Sequence, residues 1–142
     1  MLMATQIKNV FVNMCVKDLD KSIKFFKELG FTFNPQFTDQ NAACLVINET
    51  TYSMLITEKF FGTFIEKMKK SKADTVKNVE VLIAMQVESR KKADELADKA
   101  LKMGGKVANP PTDYGWMYGR SFQDLDSHIW EVFFMDAKKK PK

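Results

Sequence analysis

The chain opens with an alternation of apolar and polar side chains that is repeated later in the sequence. Residues 7–16 have the pattern of a half-buried strand, which places Val10, Val12, Met14 and Val16 on one face and Phe11, Asn13 and Cys15 on the other. A similar run covers 79–88, where Val81 stands 71 positions after Val10. The recurrence indicates a duplicated unit whose halves can be compared position by position.

An amphipathic helix pattern follows each of these strands. Apolar residues recur at helical spacing over 19–29 and again over 91–103. Glycine ends both patterns, at Gly30 in the first half and at Gly104 in the second. A further helix pattern over 59–70 connects the two halves.

Short strand patterns complete each half. They cover 31–33, 42–47 and 52–57 in the first half and 106–108, 118–123 and 128–135 in the second. Each half therefore has the order β-α-β-β-β, with modules at about 7–58 and 79–136 joined by residues 59–78. We predict one α+β domain over 1–142, in which the two modules form a curved, eight-stranded mixed sheet of half-barrels around a cavity, with the helices outside.

Composition and charge exclude several functional classes. Lysine and arginine number 22 against 18 acidic residues, a net charge of +4, but four of the lysines fall within 138–142, so the tail is expected to be solvated and the body is close to neutral. No basic patch with stacking aromatics points to nucleic acid. The sequence lacks an apolar run of membrane-spanning length and a secretory leader, so we expect a cytoplasmic protein without membrane contact.

Two segments carry a resemblance to a known superfamily. The opening segment Val16–Phe26 and the closing segment Phe122–Val132, together with the duplicated order of elements, resemble the vicinal-oxygen-chelate superfamily. This superfamily includes glyoxalase I, bleomycin and fosfomycin resistance proteins and extradiol dioxygenases. The closing segment departs from the usual Asp-Pro-Asp-Gly turn by carrying Leu125 and Ser127, which makes the turn less typical.

The resemblance also implies positions for metal ligands. Metal-dependent relatives take one ligand from the first and one from the last strand of each half, and these positions fall on Phe11, Leu55, Leu82 and Glu131 in this chain. Three of these side chains are hydrocarbons, whereas a catalytic zinc typically keeps three protein ligands. We therefore expect neither a metal nor another cofactor.

Several polar or aromatic residues have both a functional and a structural interpretation. Glu131 is a candidate general base or ligand anchor, or else it bonds to a backbone amide or to Arg120. Asn13 either contacts a ligand or bonds across the sheet. Trp116 belongs to an aromatic loop that either covers the mouth of a cavity or packs against the protein. His128, the only histidine, is expected at the entry to a strand, on the face opposite to Glu131.

The favoured function is that of a small-molecule-binding protein with an apolar pocket and no catalytic metal. We expect Phe11, Asn13, Leu55, Leu82, Trp116 and Glu131 to bind an apolar or aromatic organic ligand, and exposed sheet edges to favour a homodimer. The alternatives are a metal-dependent lyase, similar to lactoylglutathione lyase, or a dioxygenase with an atypical ligand set, and a dimeric module without a ligand. Whether the protein is an enzyme stays open at this point.

Overall fold

The computed structural model describes residues 3–142. Within them the chain divides into two compact units, one ending at Lys72 and the other beginning at Ala73. Each unit contains one mixed β-sheet, so the α+β class is confirmed. None of the helices in residues 3–142 is long and apolar enough to cross a membrane.

The first unit follows the predicted order of elements. Its elements are β1 (Val10–Val16), α1 (Leu19–Glu28), β2 (Thr32–Asn34), β3 (Ala42–Val46), β4 (Thr51–Thr57) and α2 (Glu58–Ile65). The strands lie in the order β1-β4-β3-β2, with β1 and β4 parallel and the other pairs antiparallel. Hydrophobic side chains of β1 and α1 form the core of this unit. Met14 of β1 and Phe25 and Phe26 of α1 are at most 2% exposed.

The second unit repeats this arrangement with one addition. Its elements are β5 (Leu82–Gln86), α3 (Arg90–Lys102), β6 (Lys106–Val107), β7 (Thr112–Asp113), β8 (Met117–Gln123) and β9 (Ile129–Met135). The order β5-β9-β8-β6, with β5 and β9 parallel, matches that of the first sheet. The added strand β7 pairs with β8.

The architecture therefore differs in two respects from the prediction. Residues 3–142 form nine strands in two sheets instead of the single eight-stranded sheet. The two-residue strand β7 was not predicted because it is too short to show a period of two. The helix expected over 59–70 ends at Ile65, and a 3₁₀ turn over Glu66–Met68 follows, with Lys69 in the left-handed region at φ 57°. The curvature of the sheets stays a prediction.

Helix α3 is fixed closely to the second sheet. Ala93, Ala97 and Ala100 are fully buried, and small side chains of this kind let a helix approach a sheet. The Arg120 guanidinium on β8 donates to Asp94 and Asp98 of α3 at 2.8 and 2.9 Å. This double ion pair keeps Arg120 on the helix side of the sheet.

A buried carboxylate organises the turn between β8 and β9. Asp124 accepts hydrogen bonds from the backbone amides of Asp126 and His128, from the His128 ring, and from Trp130 Nε1, all at 2.9–3.1 Å. Ser127 occupies the left-handed region at φ 66°, which favours glycine. The turn thus forms without the glycine of the Asp-Pro-Asp-Gly turn that the resemblance implies, and His128 stands at the strand entry as predicted.

His128 is nevertheless more deeply buried than a turn residue near the surface, with 3% of the residue exposed. Its Nδ1 lies 3.1 Å from Asp124, and its Nε2 lies 3.4 Å from Glu80. Burial lowers the pKa of His128, but the hydrogen bond to Asp124 and the charges of Asp124, Glu80 and Asp126 together outweigh it and raise the pKa above its ordinary value. The folded state therefore binds this proton more tightly than the unfolded state.

The raised pKa of His128 predicts a loss of stability as the pH rises. Protonated His128 stabilises the folded state fully below the unfolded pKa of about 6.5, and this stabilisation is lost as the pH rises through the higher pKa of the folded state. We expect urea unfolding to show a free energy that falls above pH 6.5, by at most about 1.4 kcal/mol per pH unit. His128→Gln should remove this dependence, and the milder Glu80→Gln should reduce it. A stability that rose between pH 6.5 and 8 in the wild type but not in His128→Gln would contradict the assignment.

Candidate ligand site

The parallel pairing of β5 and β9 determines which side chains share a face. Ala84 lies beside Glu131 and Leu82 beside Ile129, so all four point to the same side of the sheet. Trp130 alternates with them and is fully buried on the opposite face. Leu82 and Glu131 therefore share a face, in agreement with the duplicated pattern.

An open cavity of about 240 Å³ lies on the face that carries Glu131. It is formed by residues of the second unit alone, which are Ala84, Asn109, Pro110, Thr112, Met117, Gly119, Arg120, Ser121, Glu131 and Phe133. Apolar walls from Ala84, Met117 and Phe133 thus surround a single acidic group.

Within the described part of the chain, the carboxylate of Glu131 has no protein partner. Among residues 3–142, the structure gives it neither a hydrogen bond nor an ion pair. Arg120, the expected partner, also lines the cavity, but it pairs with Val132, so its guanidinium lies on the other face of the sheet and bonds to Asp94 and Asp98. The structure therefore does not agree with the interpretation that Glu131 bonds to Arg120. It agrees with the other interpretation, in which the Glu131 carboxylate is available to a ligand.

The loop between β6 and β7 supplies the polar wall of the cavity. The Ser121 hydroxyl accepts from the backbone amide of Asn109 at 2.9 Å and lies 3.4 Å from its carbonyl oxygen. Two prolines follow Asn109 and restrict the loop further. The side chains of Asn109 and Thr112 make no hydrogen bond to described residues and are available at the cavity.

Sequence reasoning missed these loop residues. The Asn-Pro pair at Asn109 marks a turn, and this was the available signal. It did not reveal that the turn folds against Ser121 and brings Asn109 and Thr112 to the cavity.

The aromatic loop, residues 114–116, connects β7 to β8, and none of its side chains is among those that line the cavity. Arg90 binds both carboxylate oxygens of Asp113 at 2.8 and 2.9 Å, and this hydrogen-bonded pair lowers the pKa of Asp113 to about 2. Trp116 is not among the lining residues. Its ring stacks on Tyr114 at 6.5 Å, and Lys140 Nζ lies 5.4 Å from it. The Lys140 ammonium thus contacts the Trp116 ring, while residues 137–142 are exposed, as expected for a solvated tail. Contact of Trp116 with a ligand stays a prediction.

In the first unit, Phe11 and Asn13 share the face opposite to the buried side of β1. The Phe11 ring stacks on Tyr52 at 5.0 Å and is 46% exposed. Asn13 is exposed and lies beside Met54 of β4. Contact of Phe11 or Asn13 with a ligand, and their convergence with Leu82 and Glu131, stay predictions.

The position expected for Leu55 is wrong by one residue. Leu55 lies beside Met14 in the pairing of β1 with β4 and is fully buried, so it points away from the face that carries Phe11. Because β4 pairs with β1 in the same register as β9 with β5, Met54 is the counterpart of Glu131.

The donor atoms at the positions implied by the resemblance do not fit a hard divalent metal. Phe11 and Leu82 carry no donor, and the thioether of Met54 is a soft ligand that suits copper(I). Glu131 alone supplies oxygen. In the described part of the chain, no three His, Cys, Asp or Glu side chains are grouped so as to hold a metal ion.

Comparison with known proteins yields a family match and several similar structures. Residues 8–48 match the family model of the N-terminal region of bleomycin-resistance-like proteins. The search of curated protein sequences gives no significant match.

Three solved structures illustrate the similarity of fold. A hypothetical protein from S. aureus is 31% identical, with a TM-score of 0.75 over 92% of this chain and 95% of its own. A glyoxalase/bleomycin resistance protein/dioxygenase family enzyme from Burkholderia phytofirmans is 12% identical, with a TM-score of 0.75 over 89% and 97%. A mutant of the fosfomycin resistance protein from Listeria monocytogenes, complexed with Mn(II) and a dihydroxypropylphosphonic acid, is 17% identical, with a TM-score of 0.62 over 92% and 90%.

The match at the N-terminal region and the nearly full-length similarity to a 31% identical relative agree with the motifs and the order of elements. The chain therefore belongs to the vicinal-oxygen-chelate superfamily, with the glyoxalase and bleomycin-resistance-like proteins.

Proposed function

We propose that the protein binds a small organic ligand in the cavity beside Glu131 and that it does so without a divalent metal. The observation that carries the proposal is the Glu131 carboxylate, which has no partner among residues 3–142 and lies beside apolar walls in an open cavity. Ligand sites commonly combine apolar walls with a few polar groups that orient the ligand. Glu131 is such an orienting group.

The walls favour an apolar or aromatic ligand of modest size. Met117 and Phe133 offer polarisable surface, and Ala84 leaves room beside the Glu131 side chain. The volume of about 240 Å³ lies below the range of roughly 300–1,000 Å³ that holds drug-sized molecules. A ligand would therefore be smaller than a typical drug, or would project in part from the cavity.

Filling the cavity should abolish binding without disturbing the fold. Gly119 lines the cavity, and a Cβ at this position would meet its nearest neighbour, Phe133 Cβ, at an ordinary 3.7 Å. We expect a ligand found by a thermal-shift screen of small aromatic compounds to stabilise the wild type by about 2.7 kcal/mol at a hundredfold excess over its dissociation constant. Gly119→Leu should lose this stabilisation, because the new side chain occupies the cavity.

A second glycine provides the matched control. Gly62 lies in α2, where an added Cβ meets nothing within 4 Å. Gly62→Leu should keep the full response to the ligand. Equal stabilisation of Gly119→Leu and the wild type would place the ligand elsewhere and contradict the proposed site.

Metal analysis tests the second part of the proposal. Protein purified without chelator and then dialysed should contain far less than one zinc, nickel, manganese or iron ion per chain, because Glu131 is the single hard donor among the implied positions. Glu131→Ala should leave the small residual metal content unchanged. Stoichiometric metal in the wild type that disappeared in Glu131→Ala would favour the metal-dependent enzyme.

A homodimer is the proposed assembly. In the described residues, β1 pairs with β4 alone and is an edge strand of its sheet, and Val10 and Phe11 on it are 49% and 46% exposed. Unpaired edges with apolar side chains favour association of two copies. A homodimer is also the assembly that the sequence predicts.

Light scattering should give a mass about twice the 16.3 kDa of the chain. Phe11→Lys should shift the protein towards the monomer, because a charge on an edge strand opposes pairing. Val76→Lys, at a site that is 81% exposed and outside any strand, is the control and should leave the mass unchanged. A monomer across micromolar concentrations would contradict the proposal.

A further inference from the structure

The cavity beside Glu131 combines apolar surface with one negative charge. Its walls are apolar except on the side of Asn109, Thr112 and Ser121. Among the lining residues, the formal charge available to a ligand is the carboxylate of Glu131, since the guanidinium of Arg120 is bound to Asp94 and Asp98. A ligand that enters displaces water from this carboxylate. The ligand must then supply the hydrogen-bond donors that the water provided, or binding leaves an anion unsatisfied.

We infer that the cavity selects ligands that carry a cationic nitrogen, such as a small primary amine or amidine, attached to an apolar or aromatic body. The inference rests on the proposed function and names the class of its ligand. An ammonium or amidinium group satisfies the Glu131 carboxylate with charge-assisted hydrogen bonds, while the body packs on Met117 and Phe133. An anionic ligand would meet an uncompensated like charge.

The polar wall gives a second element of selectivity. Asn109 lies on the loop that Ser121 fixes and Thr112 begins β7, and the side chains of both can donate and accept. These side chains carry no charge, so they can form hydrogen bonds with a hydroxyl or an amide of the ligand but cannot neutralise the charge of Glu131. The cationic group is therefore expected at Glu131 rather than at the loop.

The test compares three probes of nearly equal shape, which are benzylamine, benzyl alcohol and benzoate. At pH 7 they are cationic, neutral and anionic, so differences in affinity report charge rather than size. NMR titration of the wild type should give the order benzylamine, benzyl alcohol, benzoate, with benzylamine about tenfold tighter than benzyl alcohol. Glu131→Gln, which keeps the shape and removes the charge, should bring benzylamine to the affinity of benzyl alcohol.

A substitution on the neighbouring strand β5 tests the inference by supplying a cation to Glu131 from the protein itself. Ala84 is exposed and lies directly beside Glu131 in the pairing of β5 with β9. Ala84→Lys places an ammonium group within reach of the carboxylate and should remove the preference for benzylamine. Ala84→Gln introduces a neutral side chain that narrows the cavity by a similar amount, so it should weaken all three probes but keep benzylamine tighter than benzyl alcohol. This pair keeps the inference falsifiable if Glu131→Gln folds poorly.

The outcomes separate the inference from the proposed function. If the three probes bind equally and Gly119→Leu weakens them all, the cavity binds small molecules and the preference for a cation is wrong. If Glu131→Gln leaves the preference for benzylamine intact, the cation is recognised elsewhere and the inference is again wrong. If no probe binds, or if Gly119→Leu has no effect on any of them, the proposed function itself fails.

Discussion

Asp124 accepts four hydrogen bonds at the start of β9, and the geometry of the candidate site follows from them. Two come from backbone amides and define the turn, and one comes from Trp130 Nε1 and draws the indole into the core. Because side chains alternate along a strand, a buried Trp130 obliges Glu131 to face the cavity. A slip of one residue would bury the Glu131 carboxylate without donors and expose the largest side chain of the core, so the register is strongly specified.

Much of the fold was predictable because its strongest signals are local. The alternation in β1, the apolar stripes of α1 and α3 and the glycines that end these helices each depend on a few neighbouring residues. The register of β4 was not predictable in this way, since Met54, Leu55 and Ile56 are all apolar. A strand that is hydrophobic on both faces gives no alternation, and hydropathy then cannot decide which side chain points to which side. The error at Leu55 has this origin.

The position of Glu131 could be predicted from the sequence, but most of its surroundings could not. A motif and a strand period placed Glu131 on the face that carries Leu82. The polar wall depends on contacts between residues far apart in the chain, since Ser121 fixes the backbone of Asn109 from a different strand. Trp116 is predicted to contact a ligand, and its ring contacts Tyr114 and Lys140 in the structure. Interactions of this kind leave no periodic pattern in the sequence.

Membership of the superfamily does not determine which function the scaffold performs. The fosfomycin resistance protein of similar fold was solved with Mn(II), whereas the implied positions of this chain offer one hard donor. A metal would neutralise the charge of a ligating carboxylate, so a chain with the carboxylate and without the other ligands has a negative charge that something else must balance. Among the described residues, Arg120 does not balance it, because Asp94 and Asp98 hold its guanidinium on the far side of the sheet. Water can do so in the open cavity, but a bound molecule can do so only with donors of its own. Under the proposed function, the charge that a metal would have offset is the property by which the cavity would discriminate among ligands.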